Sequence, residues 1–207
     1  MNHPAKGRLL LATRNAHKLD ELRRILAAAG VAGLAVLGLD EVEEFPEAPE
    51  TEPDFEGNAL AKARDAAEAT GLPSVADDSG IAVDALNGMP GVLSARWSGA
   101  HGDDEANLGL LLNQLRDVPD ARRGGAFVCA AALVDPRGDE LVLRSEWRGS
   151  IVRQARGGNG FGYDPIFVPD GQSLTSAELD PAVKDQLSHR GQALRALLPH
   201  LRRLAAR

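Results

Sequence analysis

Cysteine is almost absent from this 207-residue chain: Cys129 is the only one. A lone thiol excludes an intrachain disulfide framework and a thiolate metal cluster, and it fits a reducing cytoplasm. Long apolar runs are missing too. The opening Met1–Arg8 is polar, and Leu9–Ala12 is too short for a signal-peptide core or a membrane span, so a soluble intracellular protein is expected. There is no basic excess: the formal net charge is −7, whereas duplex-binding proteins usually carry a positive balance. No polynucleotide partner is expected, although a small anion is compatible if a few cations are focused at one place. Repeats, low-complexity tracts and an interdomain linker are also lacking. With 43% hydrophobic residues over this length, the expectation is one domain spanning residues 1–207, long enough to bury a real core.

What is present alternates between strand and helix signals. Arg8–Thr13 is a short apolar run of the buried-strand type. Leu19, Leu22, Leu26 and Ala29 then recur at helical spacing up to Gly30, and Leu34–Leu39 reads as a second strand. The stretch Asp40–Glu56 holds nine carboxylates and three prolines. It reads as a solvated acidic loop, or as a source of one metal-reaching acid. Thr51 and Asp54 have capping-box spacing ahead of an alanine-rich helix over Phe55–Thr70 that Gly71 closes. Ser74–Asp77 and Ile81–Asp84 read as strand segments flanking Asp78-Ser79-Gly80, and Gly88–Gly99 as a loop. Asp103–Arg116 is an amphipathic helix, Ala126–Val134 and Glu140–Ile151 a hairpin, and helices return at Thr175–Leu187 and Gln192–Ala205. The pattern predicts an α/β fold with a mixed sheet.

Four stretches could carry chemistry. In Thr13–Lys18, "TRNAHK", a strand end meets a helix start, where backbone N–H groups and the helix dipole favour an anion; Thr13 and Asn15 could also be plain caps. In Val75–Gly80, "VADDSG", adjacent carboxylates on an extended strand must take opposite faces. One could then hold Mg²⁺ or orient a water, though an Asx-type turn explains the residues as well. Ser188–Gly191, "SHRG", offers His189 and Arg190 as donors or as a helix cap. Gly157–Pro165 runs through three glycines into Phe161, Tyr163, Asp164 and Pro165. It is either a core turn or a loop that stacks an aromatic on a base while Asp164 braces it.

Taken in order, "TRNAHK", "FEGNALAKA", "VADDSGIAVDALNGMPGVLSARWSG", "GGNGFGYDPIFVP" and "SHRGQAL" resemble the inosine/xanthosine triphosphate pyrophosphatase family from about Leu9 to Leu198. Members of that family hydrolyse dITP, ITP and XTP to the monophosphate and pyrophosphate, cleansing the nucleotide pool. The resemblance implies an elongated mixed β-sheet flanked by helices, two lobes with a central cleft, Mg²⁺ and a homodimer. It implies phosphate contacts from Thr13, Arg14, Asn15, Ala16, His17 and Lys18. Asp78 matches the metal-binding carboxylate that acts as proton acceptor, Glu50 a second metal position, and Ser79 a substrate contact. Phe161, Gly162, Tyr163 and Asp164 match the base-binding loop, and Lys184, His189 and Arg190 further substrate contacts. The segment "LDPAVKDQL" before Lys184 departs from the usual pair of glutamates, which puts the local helix start in question. Two alternatives stay open: a related pyrophosphatase acting on other modified nucleotides, and a non-catalytic nucleotide-binding regulator.

Overall fold

Three consecutive leucines decide where the sheet begins. In a computed structural model that describes residues 7–46 and 49–206, strand β1 (Gly7–Leu11) buries Leu9, Leu10 and Leu11. That continuous burial is what a strand covered on both faces requires. β1 pairs in parallel with β2 (Leu34–Leu37) on one side and β3 (Ser74–Val83) on the other. The six-stranded sheet continues through β4 (Gly124–Val134) and β5 (Glu140–Ile151) to β6 (Phe167–Pro169), which is antiparallel to β5. The order is β2-β1-β3-β4-β5-β6, a mixed sheet with helices, as the alternating pattern predicts. No helix among the described residues is long and apolar enough to cross a membrane.

Contacts divide the described chain into two units. The first gathers the described residues up to Asp78, Ala130–Arg144 and those from Arg190 on. It holds helix α1 (Ala16–Ala28), which buries Leu22, Ile25 and Leu26, and helix α2 (Phe55–Thr70), whose buried Ala59, Ala63, Ala66 and Ala67 recur at helical spacing. The second unit comprises Ser79–Cys129 and Ser145–His189. Its core gathers Ile81, Leu111, Phe127, Trp147, Tyr163 and Phe167, with the Phe127 and Trp147 rings meeting Phe167 edge-on at 4.7 and 5.6 Å. Helix α3 (Asp104–Gln114) belongs to this unit and is capped by Asp103, which accepts from Ala106 N–H at 3.0 Å.

Several local expectations change. Asp54, not Thr51, caps α2, accepting from Gly57 N–H at 2.7 Å. The Asp78-Ser79-Gly80 stretch does not interrupt the sheet, because β3 runs unbroken from Ser74 to Val83. Strand β2 stops at Leu37, and Leu39–Glu41 turns as a 3₁₀ helix once Gly38 N–H is taken by the Glu41 carboxylate at 2.9 Å. Part of the Gly88–Gly99 loop, Gly91–Arg96, is also 3₁₀ helix.

The helix expected from Thr175 is only α4 (Pro181–Leu187). Asp180 caps it, accepting from Ala182 N–H at 2.8 Å, and Pro181 occupies the first turn, where its missing N–H costs nothing. Ahead of it, Thr175–Glu178 closes on itself: Glu178 N–H donates to Thr175 O, and Thr175 N–H to the Glu178 carboxylate. The final helix, α5 (His189–Ala205), starts three residues earlier than expected, at His189. Of the acidic loop, residues 47 and 48 lie outside the described part, as does the opening run 1–6.

Candidate active site

In the first unit, the alternation of β3 separates the two adjacent aspartates. Asp77 Oδ2 accepts from Lys18 Nζ at 2.8 Å and from Arg190 Nε at 3.2 Å. Asp78 instead accepts from Asn58 Nδ2 at 3.2 Å and from Lys62 Nζ at 3.1 Å, both on α2. Lys62 Nζ also donates to Glu50. The two carboxylates that the resemblance names as metal positions, Glu50 and Asp78, therefore converge on one ammonium.

Burial lifts the Asp78 carboxyl above its ordinary pKa, and the nearby Glu50 charge adds to this, while Lys62 and Asn58 pull the other way. Burial alone would lower the Lys62 ammonium, but the Asp78 and Glu50 carboxylates hold it above its ordinary value. Electrostatically, this is a cation-favouring position lined by hard oxygen donors. Among the described residues no group of three or more His, Cys, Asp or Glu side chains is placed to hold a metal by itself. Two carboxylates suffice for an ion of the Mg²⁺ class, which takes one or two from a protein and completes its shell with water and substrate phosphate. The donor set fits such an ion.

Thr13–Lys18 spans the turn after β1 and the first three residues of α1. Thr13 Oγ1 accepts from Asn15 N–H at 3.2 Å, and Asn15 caps α1 by accepting from His17 N–H at 2.9 Å. Arg14 precedes the cap, and Ala16 opens the helix. Asn15 thus acts as a cap, and Lys18 Nζ reaches the Asp77 carboxylate.

In the second unit, the glycine-rich approach ends in a tightly tied loop. Asp164 is buried, and its carboxylate accepts from Phe161 N–H at 2.8 Å, from Ser176 Oγ at 2.8 Å and from Lys184 Nζ. Gly160 has φ +80°, and a Cβ there would lie 2.1 Å from Asp164 Oδ2 and 2.7 Å from Lys184 Nζ. Gly162 N–H donates to the Asp104 carboxylate on α3 at 2.8 Å. The two loop aromatics part company. Tyr163 is buried, donates its hydroxyl to Ser94 O at 2.8 Å, and has its phenol pKa pushed well up by burial. Phe161 stays 39% exposed, with Lys184 Nζ 5.5 Å above its ring. His189 stacks on Phe127, centroids 4.9 Å apart and planes within 8°. Ser79 is half-buried on β3.

Sequence reasoning did not single out Lys62, Asn58, Glu21, Asp104 or Ser176, and it left Asp77 without a role. "FEGNALAKA" carried a usable signal, since Asn58 and Lys62 are four apart and share a helix face. Glu21, Asp104 and Ser176 carry none: Glu21 meets Arg190 and Asp104 meets Gly162 far along the chain, and Ser176 meets Asp164 at a separation of 12 that no helix or strand repeat relates. In the same loop, the N–H groups of Phe161 and Gly162 are already bonded to Asp164 and Asp104.

Residues 9–200 match the model of the Ham1 family. The chain is 68% identical over 201 residues to a protein of Nocardia farcinica named dITP/XTP pyrophosphatase, covering 97% of this chain and 98% of that one. It is 64% identical over 198 residues to one of the same name from Mycobacterium tuberculosis (strain ATCC 25618 / H37Rv), covering 96% and 97%. Two solved structures are similar. A nucleoside-triphosphatase / dITP/XTP pyrophosphatase from Mycobacterium abscessus aligns at 61% identity and TM-score 0.77, covering 94% of this chain and 99% of that one. A HAM1 protein from Coxiella burnetii aligns at 40% identity and TM-score 0.85, covering 94% and 98%.

Proposed function

Because the chain belongs to the Ham1 family, we propose that it hydrolyses the non-standard purine nucleoside triphosphates dITP, ITP and XTP at the α–β phosphoanhydride bond, giving the nucleoside monophosphate and pyrophosphate. The observation that carries this reading is the meeting of Glu50 and Asp78 at Lys62 Nζ on α2. It brings a candidate base, a second carboxylate and an ammonium to one point.

Asp78 accepts the proton of the attacking water. Asn58 and Lys62 hold the carboxylate in place for that role. Glu50 and Asp78 would hold the divalent ion, Mg²⁺ in this reading, which when bound supplies charge neutralisation and a more acidic water. Lys18, Lys62 and the α1 start at Ala16 face the phosphates, with Thr13, Arg14, Asn15 and His17 lining the same turn. Two ammonium groups offset the charge that grows on the departing pyrophosphate.

Phe161 takes the base face, as the exposed aromatic of its loop. Gly162, Tyr163 and Asp164 shape that loop from behind, and Ser79, Lys184, His189 and Arg190 complete the substrate contacts. Donors aimed at the 6-oxygen reject ATP, whose 6-amino group would leave donors unpaired on both sides. Xanthine's 2-oxygen is accepted, so a donor near C2 as well would disfavour the 2-amino group of guanine.

The whole chain works as one pyrophosphatase domain with two lobes, as a cytoplasmic homodimer. Sedimentation or light scattering tests the dimer. A panel of ITP, XTP, dGTP and ATP with and without Mg²⁺, read by pyrophosphate release, tests the reaction. Fast Mg²⁺-dependent release from ITP and XTP supports the reading. Equal release from ATP, or binding of ITP without release, overturns it.

A further inference from the structure

One carboxylate oxygen in the first unit serves two cations from opposite ends of the chain. Asp77 Oδ2 is 2.8 Å from Lys18 Nζ and 3.2 Å from Arg190 Nε, and Arg190 Nη1 lies 3.5 Å from Glu21 Oε2. The Asp77, Arg190 and Glu21 side chains are only 2%, 7% and 10% exposed, and Lys18 only 17%. Two acids thus balance two bases in a shielded place, where removing one acid leaves cations uncompensated. A buried ion cluster need not matter for anything but folding, and an apolar replacement can be as stable. The identity of the two cations argues for more. Lys18 is the third residue of α1, just after the turn from β1, and Arg190 is the second residue of α5.

We propose that Asp77 is a positioning residue that sets two side chains at once, Lys18 as a phosphate contact and Arg190 as a candidate donor to the purine edge, so that binding of the triphosphate tail and reading of the base are coupled through its Oδ2. The inference rests on the pyrophosphatase reading for the roles of Lys18 and Arg190. Asp77 acts through these two cations rather than on the substrate itself. Its neighbour Asp78 points to the other face of β3 and keeps its own partners, Asn58 and Lys62, so the chemical step is served separately. Glu21 meets the arginine arm, at Arg190 Nη1.

The test uses the full-length protein, Mg²⁺, ITP and GTP as substrates, and inorganic tripolyphosphate as a baseless competitor. In Asp77→Asn both arms loosen. The KM for ITP rises about tenfold, kcat stays within about threefold, tripolyphosphate inhibits several-fold more weakly, and the preference for ITP over GTP falls. In Glu21→Gln the ITP preference falls while tripolyphosphate inhibition is unchanged. If Asp77→Asn lowers the melting temperature but leaves both the ITP:GTP ratio and tripolyphosphate inhibition as in the parent, the residue is a folding element and the proposal fails. If Asp77→Asn does not fold, Glu21→Gln decides through the ITP:GTP ratio, where no change overturns the proposal. Failure of the pyrophosphatase reading looks different: the parent protein releases no pyrophosphate from ITP. The two arms are then read by calorimetric binding of tripolyphosphate and ITP, where Asp77→Asn must weaken both.

Discussion

The three glycines before the aromatic loop are not equivalent, and alanine scanning of them is a graded test of how that loop is held. At Gly160 the backbone has φ +80°, and an added Cβ would stand 2.1 Å from Asp164 Oδ2 and 2.7 Å from Lys184 Nζ. Forcing alanine into the left-handed region costs about 1 kcal/mol. Relieving the overlap must displace Asp164, whose Oδ2 holds Phe161 N–H and Lys184 Nζ. A charge-assisted hydrogen bond contributes about 2 kcal/mol. The sum of about 3 kcal/mol converts to a loss of roughly 10²-fold in kcat/KM if the base binds only to the loop in its tied conformation. Gly158 provides the control: a Cβ there meets nothing within 4 Å, so Gly158→Ala stays within about twofold. At Gly157 the added Cβ would lie 2.5 Å from the backbone carbonyl of Ala177. That atom cannot swing away, so Gly157→Ala lowers melting temperature and activity together. Pyrophosphate release from ITP, with a melting curve for each variant, reads all three. A Gly160→Ala enzyme within threefold of the parent, or an equal loss at Gly158, refutes the reasoning.

Three further outcomes are expected. Asp78→Asn keeps the size of the side chain but removes the base, so turnover of ITP falls by about 10³-fold or more while calorimetry still detects nucleotide binding; near-parental kcat rules out that role. Asp104→Ala removes the acceptor of Gly162 N–H, a bond worth about 1 kcal/mol. The KM for ITP should rise roughly fivefold, and Asp104→Asn should restore it, since the amide oxygen can still accept. Arg123 is buried and donates to the carbonyls of Leu115, Ile151 and Val152 at 2.6, 2.7 and 3.1 Å. Arg123→Met should cost about 3 kcal/mol, lowering the melting temperature by roughly 6–12 °C at about 2–4 °C per kcal/mol for a chain of this size; a drop under 2 °C contradicts the staple.

How much of this could be read from the residues alone depends on how local the cause was. Helix α1 was legible because Leu22 and Leu26 repeat at helical spacing and Asn15 caps in place. The opposite facing of Asp77 and Asp78 followed from strand alternation, even though the strand was expected to break there. Ser79 and Gly80 look like turn residues, yet β3 runs through both, and pairing within the sheet overrode local turn chemistry. The start of α4 was misplaced because Thr175–Glu178 has helix-compatible residues but closes a turn of its own before Pro181. The partners of the site residues were the least legible. Lys62 meets Glu50, Asp104 meets Gly162 and Ser176 meets Asp164 through the folding of separate elements and loops, and no spacing rule encodes such meetings. The aromatic pair of the glycine-rich loop shows the same limit. Phe161 and Tyr163 are two apart in the chain, but only the fold shows that Tyr163 is buried against Ser94 while Phe161 stays open.

The most direct test of pyrophosphatase chemistry is the position of bond cleavage. Hydrolysis of ITP with Mg²⁺ in ¹⁸O-labelled water, read by mass spectrometry, should put the label in IMP and leave pyrophosphate as an unlabelled product, as attack at the α-phosphorus requires. Label in inorganic phosphate with IDP as the other product would mean attack at the γ-phosphorus, and would contradict the proposed roles of Asp78, Lys18 and Lys62.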